Sequence, residues 1–286
     1  SRDSSGQQTV TSGGFPIQPS LIQSEGEVFR SVQPRVELAW KVCEHARLWF
    51  GATRGFQPGG FSLNAAPAPT VYDASDSWHF ELGGSQGSVD GKWNVRATAF
   101  YNTIRDYQGF RPTGFGNFAM LNADRAHTVG AEVEASFQPD PHWRLSVASG
   151  YVSAKFDEFT DSNTAAVYDH KGINLVPDFT LDATITWLPT EHWFVSANGQ
   201  VIGAVWWDEA NTTEQSAYGL LNLRAGWQSG HWGVAAFGRN VLDKEYAATA
   251  FHFNQPPAGR QPLRGIEGRP LLGGLTQHAA DPGVRV

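Results

Sequence analysis

The sequence holds one cysteine, Cys43, and one methionine, Met120, among 286 residues. A single thiol excludes an internal disulfide framework and a cysteine-built zinc site. Scarce methionine is uncommon in a helical core, where that side chain fills irregular gaps. No apolar run approaches the roughly 20 residues that a membrane-crossing helix needs, and the mean hydropathy is −0.34. Charged residues make up only 17%, with a formal net charge of −7. That balance argues against nucleic acid as the main partner, because phosphate backbones select basic surfaces. A low mean hydropathy leaves one membrane class open: a strand that hides its apolar residues at every second position never raises the average. The chain opens Ser1-Arg2-Asp3-Ser4 with no Met and no secretory signal, so the expectation is that a signal was removed or that more protein came before it.

Aromatic residues are plentiful: 11 Trp, 18 Phe and 7 Tyr. They suit strands and interfaces. The 31 Gly and 16 Pro are spread along the chain, as many turns require. Strict alternation then recurs. Trp93, Val95, Ala97, Ala99 and Tyr101 occupy one side of a strand; Asn94, Arg96, Thr98, Phe100 and Asn102 occupy the other. Phe179 to Trp187 repeats the pattern, with Leu181, Ala183 and Ile185 opposite Thr180, Asp182, Thr184 and Thr186. Trp143, Leu145, Val147 and Tyr151 do so again, Ser149 being the weak member. Val129, Ala131, Val133, Ala135 and Phe137 alternate with Gly130, Glu132, Glu134 and Ser136. Two carboxylates without a cation on one strand face are costly in a dry core and cheap in a water-filled lumen. Nine tilted strand residues span roughly 20–25 Å, the height of an outer-membrane apolar band.

The tryptophans keep to short turns. Trp187 and Trp193 flank one, Trp227 and Trp232 another, while Trp93 and Trp143 each follow one and Trp40 and Trp49 bracket the turn at Cys43-Glu44-His45. This is the placement of an aromatic girdle at one membrane face, and we assign Trp93, Trp143, Trp187, Trp193, Trp227 and Trp232 to it. Long connections alternate with the short ones, at 57–75, 109–118, 160–172 and 251–266. Counting alternating segments gives about eleven or twelve strands. They lie near 27–42, 46–56, 76–86, 92–106, 119–138, 142–157, 175–188, 193–207, 216–228 and 231–247, with a last one near 269–277. Residues 1–24 are polar and glycine-rich and are assigned to a loop or disordered lead-in; residues 25–286 form one unit, with no dividing linker.

Four segments, in order, resemble the barrel of TonB-dependent outer-membrane receptors. Asn240-Val241-Leu242-Asp243-Lys244-Glu245-Tyr246 looks like the motif ending their penultimate strand. Arg54 to Phe61 looks like the entry to a large extracellular loop. Asn122 to Glu134 resembles their strand with a Gly-x-Glu-x-Glu core, and Tyr151 to Phe159 the aromatic, acidic strand exit after it. The resemblance covers roughly residues 30 to 270 and implies an all-β fold: an antiparallel transmembrane β-barrel, here a partial one from the carboxy-terminal half of a twenty-two-stranded wall. The family's amino-terminal plug and TonB-contacting box have no counterpart before residue 30. The family's last strand ends in an aromatic, whereas residues 276–286 neither alternate nor end in one. A half-barrel exposes two unpaired edges in lipid, so the segment is expected to aggregate unless the missing strands are supplied.

The resemblance implies energised uptake of a scarce nutrient across the outer membrane of a Gram-negative bacterium, a ferric siderophore or similar chelate foremost. Its partners would be outer-membrane lipid, the cargo and the TonB energy-coupling complex, reached through a plug; no resident cofactor or metal is implied. Cargo would meet extracellular loops, where we single out Arg54, Tyr107, Arg111, Trp206, Trp207, His252 and Arg260. Aromatics and arginines suit flat anionic chelates through stacking and charge-assisted hydrogen bonds.

Two other readings use the same residues. A passive porin-like channel would use lumenal Glu132, Glu134, Asp182, Arg96, Arg224 and Arg239 for selectivity. A barrel hydrolase needs Ser and His on neighbouring strands, but His127, His142 and His192 sit at turns or strand ends, His79 stands apart, and no nucleophile elbow accompanies them. The expectation is no enzyme. His142, His192 and His231 each precede a Trp at a short turn, too far apart to share one ion, and read as polar caps. Asp208 and Glu209 read as a solvated strand exit.

Overall fold

The computed structural model describes residues 28–62, 70–114, 117–161, 165–248 and 271–277. Eleven strands make one sheet in strict chain order, each antiparallel to the next. They are β1 (Arg35–Cys43), β2 (Ala46–Gln57), β5 (Ser75–Gly87), β6 (Trp93–Gly114), β7 (Asn117–Phe137), β8 (Trp143–Glu158), β9 (Phe179–Trp187), β10 (Trp193–Ile202), β13 (Tyr218–Ser229), β14 (Trp232–Arg239) and β15 (Leu271–Gln277). Two small hairpins stand apart, β3 (Gly60–Ser62) with β4 (Thr70–Tyr72), and β11 (Val205–Trp206) with β12 (Glu214–Gln215). Among the described residues no helix is long and apolar enough to cross a membrane. Strands β1 and β15 are the sheet's two edges.

Register decides which side chains share a face, since residues directly opposite point the same way. Trp93 lies opposite Phe137, Ala97 opposite Val133 and Tyr101 opposite Val129. Trp143 lies opposite Trp187 and stacks on it at 6.1 Å. Trp193 lies opposite Trp227, which in turn faces Val234 across from it. One surface is thereby apolar along the whole wall and stays exposed: Leu38, Leu82, Val133, Val147, Ile185 and Val195 are all open. In water such a surface would be a liability; against lipid tails it is the contact area. The opposite surface carries Arg96, Glu132, Glu134, Asp182 and Asn198, as alternation foretold.

Two expectations are corrected, and one residue outside the assigned girdle is placed. Residues 109–118 are not a long loop: β6 and β7 pair with each other as far as Gly114 and Asn117. This stretch lies past the alternating segment that ends near Tyr101, and backbone pairing persists there without alternation. Trp49, which is not among the assigned girdle residues, faces inward. It alternates with outward Leu48 and Phe50 and lies opposite Gly83 on the inner surface. Several strands are also shorter than expected, β14 above all, because Asn240 takes a left-handed φ of 48° and turns the chain out of the sheet.

The short turns are sewn together by one repeated device. The residue before each second strand accepts a hydrogen bond from the chain beginning the next short turn: Gly87 to His45, Gln138 to Lys92, Leu188 to His142 and Gln228 to His192, at 2.7–2.9 Å. At His142 and His192 the imidazole Nδ1 also lies 2.8 and 3.0 Å from the carbonyls of Leu188 and Gln228. A carbonyl only accepts, so Nδ1 carries the proton in both rings. These histidines are caps of the sheet rim, and among the described residues no His, Cys, Asp or Glu group could hold a metal. In another short turn, hydrogen bonds from Ser88 and the Lys92 amide hold the Asp90 carboxyl below its ordinary range.

Candidate functional site

The inner surface and the long-loop end are the two places where a cargo or channel could be formed. On the inner surface, an aromatic ring lies over a glycine directly across from it three times. The pairs are Trp49 over Gly83, Phe100 over Gly130 and Phe194 over Gly226. Each ring is covered in turn: Arg96 stands 4.6 Å from the Trp49 centroid, Arg224 5.1 Å from Phe194, and His79 stacks on Phe100 at 6.4 Å. A ring laid on a glycine fills the space of the missing side chain, and at Trp49 and Phe194 it carries a planar guanidinium over it.

Between these stacks runs a ladder of amides. Asn198 Nδ2 donates to Asp182 at 2.9 Å and Gln200 Nε2 to its other oxygen at 2.9 Å. Asn222 donates to Asn198 at 3.0 Å, and the Asn240 backbone N–H donates to Asn222 at 3.0 Å. Asn240 then closes the turn after β14, its Oδ1 accepting from the Lys244 N–H and its Nδ2 donating to the Lys244 carbonyl, both at 2.9 Å. The ladder therefore ties the sequence motif at 240–246 to the wall. A second ladder runs from His79 to Asn102 and on to Thr128, the last step at 2.6 Å.

Two shallow grooves open beside the first ladder. One, of about 460 Å³, is lined by Ser196, Asn198, Asn222, Arg224 and Arg239, among others. The other, of about 500 Å³, carries Glu132, Glu134 and Asp182. Neither holds a nucleophile beside a base.

At the long-loop end, residues 165–178 fold back along β8. His170 and Lys171 bond to Phe156 at 2.8 and 2.9 Å, and Ile173 donates to the Ala154 carbonyl at 3.0 Å. Beneath lies a true apolar core of Ala123, Ala126, Phe156, Phe159 and Ile173, with Tyr107 edge-on to Phe156 at 5.8 Å. Burial first, and the Glu209 charge second, push the Tyr107 phenol up, so it remains a neutral donor at physiological pH.

The expected cargo residues fall in different places. Tyr107 belongs to this core. Trp206 lies over residues 172–175, its carbonyl accepting from Leu175 at 2.8 Å and its ring beside Gly172; Trp207 instead donates its N–H to the Thr213 carbonyl at 2.9 Å. Arg54 points outward, bonded to Asp76 at 2.8 Å. Arg111 lies in β6 rather than a loop. His252 and Arg260 fall outside the described residues. Asp208 is a turn former, its carboxylate accepting from the Thr212 and Thr213 backbone N–H groups at 3.0 and 2.7 Å.

Asp106, beyond the apolar band, has a left-handed φ of 52°. Burial first, and then the charges of Asp73, Asp124 and Asp76, raise its carboxyl above the ordinary value. A raised carboxylate favours the fold fully below the unfolded value near about pH 4 and loses that contribution as the pH rises through its folded value. Asp106→Asn, which tolerates the same φ, is therefore expected to slow amide exchange of Tyr107 and Asn122 at pH 7 and to match the parent below about pH 4. Equal exchange at both pH values would remove the charge strain from the account.

A polar inner wall, a lipid-facing outer wall and a rim of short turns opposite long loops limit the candidates to outer-membrane barrels. Residues 2–241 match the model of the TonB dependent receptor-like β-barrel family. The chain belongs to this family. It is 22% identical over 207 residues to the pesticin receptor of Yersinia enterocolitica, an alignment covering 70% of this chain and 29% of that protein. Its fold matches the ferric yersiniabactin uptake receptor of Yersinia pestis with a TM-score of 0.64, 18% identity, and coverage of 77% of this chain and 33% of that one. The siderophore receptor of Acinetobacter baumannii follows with a TM-score of 0.62, 17% identity, and coverage of 76% and 32%. The chain thus spans about a third of the length of the solved receptors it matches. The receptor barrel lies in the outer membrane of a Gram-negative bacterium, and the apolar surface of this wall is its lipid contact.

Proposed function

We propose that residues 25–286 are the carboxy-terminal part of a receptor barrel that imports a scarce nutrient, a ferric siderophore or similar metal chelate, using energy relayed by the TonB complex through a plug domain. The family membership of residues 2–241 carries this reading. The two-faced wall supports it, since a sheet with so polar an inner surface has no dry core to fill. Tyr107, Arg111, Trp206, Trp207, His252 and Arg260 are the residues proposed to meet the cargo from the long-loop side. Arg54, engaged by Asp76 on the outward surface, is better suited to holding the strand ends.

The test is accumulation of radioactive iron, supplied as ferric siderophores, in cells with and without the gene. Accumulation that needs both the gene and an energised inner membrane supports the receptor. Accumulation that needs the gene but survives a protonophore would instead make the barrel a passive channel, with the inner carboxylates and arginines as its filter.

A further inference from the structure

The outward surface changes character just beyond the apolar band. Trp78, Phe80, Tyr101 and Tyr151 form its upper aromatic edge, all exposed. Further along the same face stand Arg54, Arg105, Arg125, His127 and Lys155. Register puts them there: Arg54 opposite Trp78, His127 opposite Thr103 and Lys155, and Arg105 between Asp76 and Arg125. Three carboxylates share the patch and are taken. Asp76 holds Arg54 at 2.8 Å, Asp157 holds His127 at 2.7 Å, and Glu158 holds Arg125. Arg105 and Lys155 are left exposed, with no ion pair among the described residues.

The pair at the centre is the telling one. Arg105 and Arg125 lie directly across from one another on neighbouring strands, a facing of like charges that destabilises a sheet and that Glu158, on Arg125, offsets for one of the two only. Lys155 is on the next strand and the same face, opposite His127. The position is the height at which lipid headgroups meet a membrane protein, immediately above aromatics that mark the interface. Basic side chains there gain about 1 kcal/mol each from anionic headgroups.

We propose that Arg105, Arg125 and Lys155 form a binding site for a phosphate group of an anionic lipid of the outer leaflet, held between the facing guanidiniums with its acyl chains along the Tyr101 and Tyr151 surface. The site rests on the membrane placement of the barrel and not on the identity of its cargo.

The experiment is native mass spectrometry of the detergent-purified receptor, titrated with bisphosphorylated lipid A and with the same lipid stripped of phosphate. The phosphorylated form is expected to be retained on the order of tenfold more strongly, given two otherwise unpaired cations. Arg105→Gln with Lys155→Gln should lose that preference, whereas Lys92→Gln, on the opposite rim, should keep it. Equal retention of the two lipids by the parent protein would overturn the proposal without any variant. Displacement of the lipid by millimolar inorganic phosphate would overturn it too, reassigning the patch to free anions. Iron uptake unaffected by the double substitution would leave the lipid site standing and separate it from the transport reading.

Discussion

Replacing Phe156 by alanine is expected to cost about 3–5 kcal/mol of local stability, the usual loss for a fully buried phenylalanine. The ring is only 2% exposed, tilted against Phe159 at 4.9 Å and met edge-on by Tyr107 at 5.8 Å. The same residue holds the returning loop through its backbone, as donor to Lys171 and acceptor from His170. Those hydrogen bonds survive the substitution chemically but lose the packing that excludes water from them. The wall below is stabilised differently, by its ladder and by lipid, and shares little with this core. Amide exchange should therefore accelerate at His170, Lys171 and Ile173 while the amides of β9 and β10 keep their protection, as for a cooperative local opening. Phe156→Leu, which keeps most of the volume, should cost far less. Acceleration spread evenly through the sheet would show that the loop and wall unfold together and that this core is not a unit. The cargo contact proposed for Trp206 should weaken with the loop, because Trp206 is positioned over residues 172–175, which the core anchors.

How much of this was legible in the sequence depends on what each strand touches. From Trp93 to Tyr101 and from Phe179 to Trp187, lipid demands an apolar residue at every second position, and the alternation could be read directly. Beyond the band that demand ends. The extension of β6 and β7 to Gly114 and Asn117 carries no such pattern, because lipid no longer dictates alternate positions there. The inner position of Trp49 is legible from its neighbours, since Leu48 and Phe50 on either side face outward. Pairings across strands were out of reach. Neither the rings over Gly83, Gly130 and Gly226 nor the facing Arg105 and Arg125 can be seen without the register, which a single strand does not state. Asn240 shows the reverse case. The motif was recognisable, but its physical reason, a left-handed turn bolted to Asn222, emerged only from the hydrogen bonds.

The glycines under inner-surface rings yield the second large effect, and they should not behave alike. A Cβ at Gly83 would meet three atoms of Trp49, all belonging to the ring. Gly83→Val should therefore destabilise the receptor by about 1–3 kcal/mol, the range for overpacking, and Trp49→Ala in the same chain should recover much of it. The two substitutions touch directly, so their energies should couple rather than add. At Gly130 the Cβ would meet the Phe100 ring at 2.5 Å and, closer still, the Tyr151 carbonyl of the neighbouring strand. A ring can swing away; a carbonyl in the ladder cannot move without breaking the sheet. Gly130→Val should cost about 3 kcal/mol or more, and Phe100→Ala should not rescue it. Gly226, against Phe194 at 2.6 Å and the Val234 carbonyl at 2.8 Å, should fall between. Urea midpoints of receptor refolded into lipid, with folded protein followed by its heat-dependent gel shift, would measure all three. Rescue of Gly130→Val as complete as that of Gly83→Val would mean that the ring, and not the backbone of β8, is what forbids a side chain there.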